Sequence, residues 1–428
     1  MAETIQTLKG AWKAPELRKK ILFTLLILLI YRVGNAVPVP YVNTEALSAY
    51  FDLNLSNTVL GLYNAMSGSA FSQATVFALS IQPYINSSII MQLLCIAIPY
   101  LERLSKEGGE EGKKKIASIT RYVTVGLALI MGFAYYTMIK NYGMLTQTGF
   151  LTGLVVVLTF TAGSALIMWL GEQITEFGIG NGISIILFAS IISRIPTVVT
   201  ATISNIVTGA QNIFVVLLIL VLMLALIVLI VFVSAAERRI PIQYAKQMRG
   251  RKMYGGQSTF LPIKVNMSGV MPVIFASSIM SLPGTIRAFF NIEGEFANKL
   301  LDVFNYNGFV YAFGYVVLII MFNYFYVSMQ YNPVEIANNL RKNNGVIPGF
   351  RPGKNTQDFI AKVISKLTFI GALFLVVVAV LPIITGNLTN TGIQLGGTSI
   401  LIVVGVALEV AQQLEAQMLT RHHKGFLE

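Results

Sequence analysis

The stretch from Gly61 to Leu94 reads GLYNAMSGSAFSQATVFALSIQPYINSSIIMQLL, and the rest of the chain is interpreted outward from it. It begins with small and polar residues and continues as an apolar run of membrane length. Near its middle the run is interrupted by Gln82, Pro83 and several small polar side chains. Such residues are tolerated at bilayer depth where they face protein or a water-filled cavity rather than lipid. The stretch therefore predicts a helix that lines a wet path.

The composition of the whole chain indicates a membrane protein. It has 428 residues and a mean hydropathy of +0.69, and 12% of its residues are charged, about half the ~25% of soluble domains. Apolar runs of about 20 residues recur throughout, long enough to cross a hydrocarbon core of ~30 Å. A barrel would show short alternating segments instead. The fold class predicted is an all-α polytopic membrane protein.

The net charge of +12 reflects topology rather than binding to nucleic acid. Of the 31 Lys and Arg residues, five precede the first span, six lie in Arg103–Arg121 and seven in Arg238–Lys264. Six more lie in Arg341–Lys366 and two in the tail. By the positive-inside rule both termini and these three loops are cytoplasmic.

The apolar runs predict ten transmembrane helices, called spans 1 to 10. Span 1 lies in the apolar run 21–40, span 2 covers 72–94, and spans 3 to 10 cover about 116–139, 150–170, 183–195, 213–233, 268–288, 309–329, 367–385 and 398–410. Five belong to each half of the chain, so related halves must lie inverted in the membrane. The predicted organisation is a cytoplasmic leader (1–20), a first half (21–200), a hinge connection (201–211), a second half (212–414) with cytoplasmic loops 237–265 and 332–365, and a cytoplasmic tail (415–428). The alternating pattern in loop 237–265 predicts a β-hairpin, and the glycines between spans 4 and 5 predict a tight turn.

Span 2 (72–94) and span 7 (about 268–288) are the weakest spans and occupy matching places in the two halves. Taken singly, Pro83 and Pro272 are typical of ordinary kinks, and Ser87–Ser88 and Ser277–Ser278 are typical of helix packing. Interrupted spans at corresponding positions of two halves nevertheless indicate a shared central path.

The residues do not favour catalysis. The spans contain no His or Asp, Glu409 is the main carboxylate within a span, Cys95 is the only cysteine, and His422 and His423 lie in the tail. We therefore expect no catalytic residues, no metal site and no cofactor. The central positions of spans 2, 5, 7 and 10 are mostly aliphatic, which favours a conduit over an ion-coupled carrier. An inverted-repeat solute transporter and a membrane-insertion scaffold without a pore are the alternatives.

Five long segments resemble the SecY family, the central subunits of the bacterial protein-conducting channel. They are FALSIQPYINSSIIMQLL, MWLGEQITEFGIGNGISI, KVNMSGVMPVIFASSI, VIPGFRPGKNTQ and GGTSILIVV. The resemblance covers essentially the whole chain, in order and with the expected spacing.

The resemblance implies a clamshell of two inverted five-helix halves around a central pore, through which unfolded secretory polypeptides cross the membrane. Signal sequences and membrane helices would leave sideways through a lateral gate between spans 2 and 7. The implied gate residues are Pro83, Asn86, Ser87, Ser88, Pro272, Ser277 and Ser278. The implied aliphatic pore ring consists of Ile81, Ile85, Ile183, Leu187, Ile274 and Ile402. A plug helix at 61–70 would block the outer funnel, with Asn64, Met66, Ser67, Gly68 and Ser69 as its key residues.

The resemblance also implies partners and a location. The small membrane subunits SecE and SecG would accompany the chain in the cell membrane of a bacterium, in contact with membrane lipid. The ATPase SecA or the translating ribosome would drive transport of signal peptides and unfolded preproteins. By motif match these cytoplasmic partners would contact Lys246, Arg251, Lys252 and Arg351. The alternative is that such charges only enforce topology, and this is stronger for Arg103–Lys115.

Overall fold

The computed structural model describes residue 12 and residues 14–55, 59–209, 211–244, 247–249, 252–254, 258–289, 308–389 and 397–424. As predicted, helices dominate. Up to residue 235 the elements are α1 (Pro15–Gly34), α2 (Thr44–Tyr50), a π-helical turn (Phe51–Leu55), α3 (Val59–Met66), α4 (Gln82–Ala97), α5 (Pro99–Lys106), α6 (Gly109–Asn141), α7 (Phe150–Phe177), α8 (Gly182–Ser193), α9 (Ile195–Val207) and α10 (Ile213–Ala235). There follow β1 (Glu237–Tyr244), β2 (Gln247–Arg249), β3 (Lys252–Tyr254), β4 (Ser258–Lys264), α11 (Met271–Phe289), α12 (Phe309–Gln330), α13 (Pro333–Lys342), β5 (Gly345–Val346), α14 (Lys354–Thr389) and α15 (Gly397–Lys424).

The chain is a multi-pass membrane protein. Within the described ranges, seven helices are long and apolar enough to cross a membrane, and the pair α4–α5, bent by 100°, would make an eighth. Span 1 corresponds to α1, and span 7 corresponds to α11, whose apolar part is short. Every predicted span thus coincides with a helix, while the number ten stays a prediction. The seven are Gly109–Asn141, Phe150–Phe177, Gly182–Val207, Ile213–Ala235, Val310–Lys342, Lys354–Leu381 and Thr398–Met418, where Gly182–Val207 comprises α8 with α9 and Val310–Lys342 comprises α12 with α13.

Contacts divide the chain into two compact units. The first comprises the described parts of Met1–Asn212, Ser278–Tyr311 and Ile402–Glu428, and the second those of Ile213–Ser277 and Ala312–Leu401. The boundary at residue 212 follows the predicted hinge, 201–211. The predicted second half, 212–414, is divided between the units, because parts of it pack with the first half.

Span 2 does not begin at residue 72 as predicted. The helix α4 starts only at Gln82, and residues 70–81 form a series of turns. In these turns the chain pairs with the segment after α1 through a backbone bridge between Pro38 and Thr75. The backbone groups around Thr75 therefore form hydrogen bonds with this segment rather than within a helix. Pro83, which lacks an amide hydrogen, fits the first turn of a helix and marks where α4 begins.

The connection between spans 5 and 6 is also more helical than predicted. The helix α9 covers residues up to Val207, which includes most of the predicted hinge, 201–211. Pro196 lies in its first turn, where a missing amide hydrogen costs nothing. None of the residues of α9 is buried. Only residues 208–212 lie between α9 and α10.

The tight turn predicted between spans 4 and 5 is confirmed. The helix α7 ends at Phe177, and α8 begins at Gly182. The side chain of Asn181 caps α8 by accepting a hydrogen bond from the Ile183 amide, 3.1 Å away. A Cβ atom at Gly182 would lie 1.9 Å from the Gly171 carbonyl oxygen, so only glycine allows this close approach.

The second unit contains the predicted hairpin. The strands β1 and β4 pair antiparallel from Glu237 opposite Lys264 to Gln243 opposite Ser258. The strand β5 adds to the other edge of β1, giving the order β4-β1-β5. The buried side chains of Ile240 and Ile242 pack in a core with residues of α12, α13 and α14. The two long loops predicted separately therefore fold together.

Two segments predicted as loop and tail are partly helical. Within loop 332–365, Asn332 caps α13 by accepting a hydrogen bond from the Val334 amide at 3.1 Å, and Pro333 occupies the first turn. At the carboxyl end, α15 continues to Lys424, beyond the predicted start of the tail at residue 415. Leu414 is buried in a small apolar cluster with Leu17 and Ile179, which anchors this extension.

Candidate functional site

The site is built around the first turns of α4. Ile81 and Ile85 lie four residues apart and therefore on one face of the chain, joined by a hydrogen bond of 3.1 Å from the Ile85 amide to the Ile81 carbonyl. Both side chains are buried, with exposed fractions of 1% and 6%. Pro83 between them is buried as well. This end of α4 carries two of the six predicted ring residues.

The other predicted ring residues lie on three helices. Ile183 and Leu187 are four residues apart on α8; Leu187 is buried, whereas Ile183 is half-buried. A Cβ at Gly171 of α7 would lie 3.4 Å from Ile183 Cγ1, so α7 leaves room for this side chain. Ile402 on α15 and Ile274 on α11 are both buried. Five of the six belong to the first compact unit and Ile274 to the second.

The predicted gate residues make polar contacts inside the protein. Beside them, Gln82 Nε2 donates to Ser278 Oγ at 3.2 Å, and both residues are buried and belong to the first unit. Ser87 Oγ donates to the Thr120 carbonyl of α6 at 2.8 Å. Ser88 Oγ accepts a hydrogen bond from Gln92 Nε2 at 3.4 Å.

Within the described residues, no hydrogen bond joins the remaining gate residues to another helix. Ser277 Oγ donates to the Ile274 carbonyl of its own helix at 2.8 Å. Pro272 is buried and Asn86 is half-buried. Hydroxyls that bond to their own helix satisfy the polar group without a neighbouring helix.

The predicted plug, residues 61–70, begins within α3 and ends in turns. Asn64, Met66 and Ser67 are buried. Gly68 and Ser69 have φ values of +69° and +71°, so the chain reverses there in the left-handed region that favours glycine. A Cβ at Gly68 would lie 3.0 Å from both the Ser190 carbonyl oxygen and Ser193 Oγ. The tip of the plug thus packs directly on α8.

The segment is better packed than its small polar residues predict. Leu60 and Tyr63 belong to the main apolar core of the first unit, together with Phe71 just after the plug. The Phe71 ring stacks on Tyr135 with centroids 4.3 Å apart, and Tyr135 Oη donates to the Phe71 carbonyl. The residues on either side of the tip, in α3 and at Phe71, therefore pack in the apolar core, to which residues 67–69 contribute no side chain.

Sequence reasoning missed several residues that hold these elements. Tyr31 of α1, Asn35 just after it and Ser190 of α8 contact the plug or one another, and the Thr120 carbonyl accepts the hydrogen bond from Ser87. Hydroxyl and amide residues inside apolar runs are the only signal in the sequence. That signal does not reveal which distant residue they meet.

The basic residues assigned to cytoplasmic partners are only partly described. Lys246 and Arg251 lie outside the described residues, and the backbone of Lys252 belongs to β3. Arg351 is exposed, and its carbonyl accepts a hydrogen bond from Thr356 Oγ1 at 2.9 Å. The exposed Arg238 and Arg239 at the base of the hairpin were not singled out from the sequence.

In the described part of the chain, the residues considered for catalysis or metal binding do not come together in a site. Glu409 is exposed on α15, and His422 and His423 fall in the last turns of that helix, where their side chains are not described. Cys95 is half-buried as a free thiol. Across the described ranges no three His, Cys, Asp or Glu side chains lie close enough to hold a metal ion.

Comparison with known proteins assigns the fold and the family. Solved structures described as a protein-conducting channel and as a SecY protein whose plug domain stabilises the closed state of the channel match with TM-scores of 0.68 and 0.69. Each match covers 95% of this chain and 94% of the other at 17% and 18% identity. Sec61 in a canine ribosome–channel complex matches with a TM-score of 0.64 at 16% identity, covering 95% of this chain and 94% of its own.

The fold is thus that of a helical protein-conducting channel in a membrane. The family model for SecY matches residues 75–411. Protein translocase subunit SecY of Halalkalibacterium halodurans is 42% identical over 433 residues, covering 99% of this chain and 100% of its own length. The Bacillus subtilis subunit is 43% identical over 434 residues, covering 99% of each chain. The chain belongs to the SecY family of protein translocation channels, which are not enzymes.

Proposed function

We propose that this chain passes unfolded secretory polypeptides through a pore sealed by Ile81, Ile85, Ile183, Leu187, Ile274 and Ile402. Signal sequences and membrane helices leave into lipid through a lateral gate between α4 and α11. The plug, residues 61–70, closes the outer side at rest. Aliphatic side chains suit this role because they close around a chain of any sequence and hold back water and ions by dewetting.

The hydrogen bond from Gln82 to Ser278 is the observation that best supports the proposed lateral gate. It joins the start of α4 to the middle of α11 through two buried side chains. A single neutral hydrogen bond contributes only about 1 kcal/mol net, because both partners bond to water once it breaks. A gate held by such a bond opens at low cost when a signal sequence enters.

The cytoplasmic partners proposed are the ATPase SecA and the translating ribosome, with SecE and SecG as membrane subunits. Support comes from the described β-sheet, which carries the exposed Arg238 and Arg239, and from the exposed Arg351. Solved relatives include Sec61 in a ribosome–channel complex. The bacterial relatives support a location in the cell membrane. The positions of the Lys and Arg clusters support an orientation with both termini in the cytoplasm.

Crosslinking the gate tests the proposal. In a Cys95→Ser background, Gln82→Cys and Ser278→Cys are joined by a short bismaleimide in membranes reconstituted with the partners. We expect the crosslink to stop both secretion of a preprotein and sideways release of a membrane helix. A crosslinker cleaved by reductant should restore both activities on reduction. The single-cysteine variants, treated identically, are the controls.

The outcomes separate the proposed gate from the alternatives. If secretion and membrane insertion both continue through the crosslinked protein, the gate does not lie between these residues. If insertion stops while secretion continues, the pore is not opened by movement of α4 relative to Ser278. A channel in which only secretion stops would also contradict the proposed lateral exit.

A further inference from the structure

We propose that Asn323 of α12 is a positioning residue for the gate helix α11. It holds the segment just before α11, residues 265–268, which we call the foot of α11, against α12 and α14. When the gate opens, α11 turns about Gly269 while the foot stays in place. This inference rests on the proposed function, since it concerns how α11 moves relative to α4.

The Asn323 side chain joins three segments in the interior of the second unit. Its Nδ2 donates to the Thr368 carbonyl of α14 at 2.8 Å, and its Oδ1 accepts a hydrogen bond from Ser268 Oγ in the foot. The exposed fractions are 1% for Asn323, 2% for Thr368 and 4% for Ser268. A buried amide is costly unless its polar groups are bonded. Here the amide nitrogen and the amide oxygen are each bonded, to two different neighbours.

The acceptor on α14 fixes the direction of both hydrogen bonds. A backbone carbonyl only accepts, so the amide nitrogen of Asn323 has to face Thr368 and its oxygen has to face Ser268. Ser268 Oγ therefore donates its single proton to Asn323, although Asn266 Oδ1 lies 3.5 Å away as a second acceptor. Loss of the Ser268 hydroxyl would leave a buried oxygen without its donor.

Other contacts hold the foot at the same place. The Val265 amide donates to the Ala236 carbonyl at 2.9 Å, one residue beyond the paired strands β1 and β4. A Cβ at Gly371 of α14 would lie 2.9 Å from the Val265 carbonyl oxygen, so the backbone of α14 approaches the foot closely. Met267 is buried in the apolar core that also contains Leu367 of α14. Backbone, apolar and polar contacts thus all fix the foot.

The contacts change in character at Gly269. Its φ is +63°, in the left-handed region that favours glycine, and a Cβ there would meet nothing within 4 Å. The space around this residue leaves room for the chain to change direction. Further along α11, Phe275 packs edge-on against Phe322 and Tyr326 of α12, with ring centroids 5.8 and 6.2 Å apart. Aromatic pairs form over about 4.5–7 Å, so these contacts tolerate a change of helix angle better than the hydrogen bonds of the foot do.

Distances between pairs of spin labels, measured by double electron–electron resonance on the full-length chain in lipid nanodiscs, test the proposal without any need for transport. All variants carry Cys95→Ser. Labels at Leu282→Cys and Leu373→Cys report the position of α11 relative to α14. Labels at Val317→Cys and Leu373→Cys report the position of α12 relative to α14. The three labelled side chains are each about half exposed.

Ser268→Ala removes the donor in the foot and leaves the bond between Asn323 and Thr368. We expect the fraction of molecules outside the main α11–α14 distance to rise about fivefold, because one net hydrogen bond that holds the foot is lost. The α12–α14 distribution should stay as in the wild-type protein. Asn323→Leu should broaden the α11–α14 distribution at least as much as Ser268→Ala.

Thr368→Val is the matched control. It removes a buried hydroxyl that donates to the Ile364 carbonyl of its own helix, and it keeps the backbone carbonyl that Asn323 uses. Both distance distributions should therefore match those of the wild-type protein.

Three results would overturn the proposal. With an unchanged α11–α14 distribution in Ser268→Ala, the foot is held without Asn323. With equal broadening of both label pairs, the network only supports the packing of α12 on α14. With broadening by Thr368→Val as large as that by Ser268→Ala, any lost hydroxyl in this core loosens α11. Should Asn323→Leu fail to fold, Ser268→Ala and Thr368→Val decide the question by themselves.

These readouts are independent of transport. If the bismaleimide crosslink fails to stop transport, the lateral gate is misplaced, yet the label distances still report on the foot of α11. If Ser268→Ala leaves the distances unchanged while the crosslink stops transport, only the role of Asn323 fails.

Discussion

At the scale of single residues, Gly163 of α7 tests the irregular course of residues 70–81. A Cβ there would lie 1.9 Å from the Val76 carbonyl oxygen, and Val76 belongs to the turns that precede α4. We expect Gly163→Ala to destabilise the protein by about 1–3 kcal/mol, because backbone on both sides must move apart. Thermal unfolding of the purified protein in detergent or nanodiscs measures this as a lower midpoint.

Gly126 of α6 is the matched control for this prediction. A Cβ at Gly126 would meet nothing within 4 Å. Gly126→Ala should leave the unfolding midpoint unchanged or raise it slightly, because alanine favours a helix by up to about 1 kcal/mol. Equal midpoints for both variants would mean that α7 does not pack on Val76, and the turns before α4 would then need another support.

The residues of the proposed aliphatic ring could be assigned from the sequence, whereas the residues around the proposed plug could not. Ile81 and Ile85 were assigned to the ring by the family motif. Tyr31 and Ser190 are 159 residues apart and each is unremarkable in its own helix. Contacts between polar groups at such separation depend on how helices pack, and an apolar run with one hydroxyl fits many packings.

At the scale of elements, the sheet formed by β1, β4 and β5 joins the two basic loops of the second unit. The alternating pattern around residues 240–245 (IPIQYA) in loop 237–265 was enough to predict the hairpin, because strands with one buried face have a period of two. The pairing of β5 was missed because Gly345–Val346 is only two residues long and carries no pattern. The start of α4 was misplaced and the helix α9 was not predicted, because apolar composition marks membrane depth rather than helix ends.

The basic residues of these loops provide a second prediction. Lys252→Glu combined with Arg351→Glu should weaken binding of SecA or the ribosome by about tenfold or more at low salt, because attraction to an anionic surface becomes repulsion. The loss should shrink as the salt concentration rises. Binding to the chain in nanodiscs measures both effects.

The charge reversal Lys113→Glu with Lys114→Glu controls for net charge. These residues lie at the beginning of α6, in the cluster expected only to set topology. Binding close to that of the wild-type protein is the expected result. An equal loss in both double variants would indicate general electrostatic attraction and would remove the specific role proposed for Lys252 and Arg351.

At the scale of the whole molecule, hydropathy and charge placement predicted a multi-pass helical protein, and the family match identifies it as a translocation channel. The alternative of a solute transporter required a buried charged pocket, and the family assignment does not support it. The two compact units do not coincide with the predicted halves. Ser278, for example, belongs to the first unit and accepts a hydrogen bond from Gln82, a contact that no hydropathy pattern encodes.

The central claim is that a polypeptide in transit passes the aliphatic ring. A photo-crosslinking amino acid is placed at Ile85, and separately at Leu129 on α6, which is 41% exposed and serves as the lipid-side control. A secretory chain is then stalled midway in membranes reconstituted with SecE, SecG and SecA. The account predicts crosslinks from Ile85 to the stalled chain and few from Leu129. A stalled chain that is protected from protease yet never crosslinks to Ile85, or crosslinks to Leu129 as strongly, would contradict it.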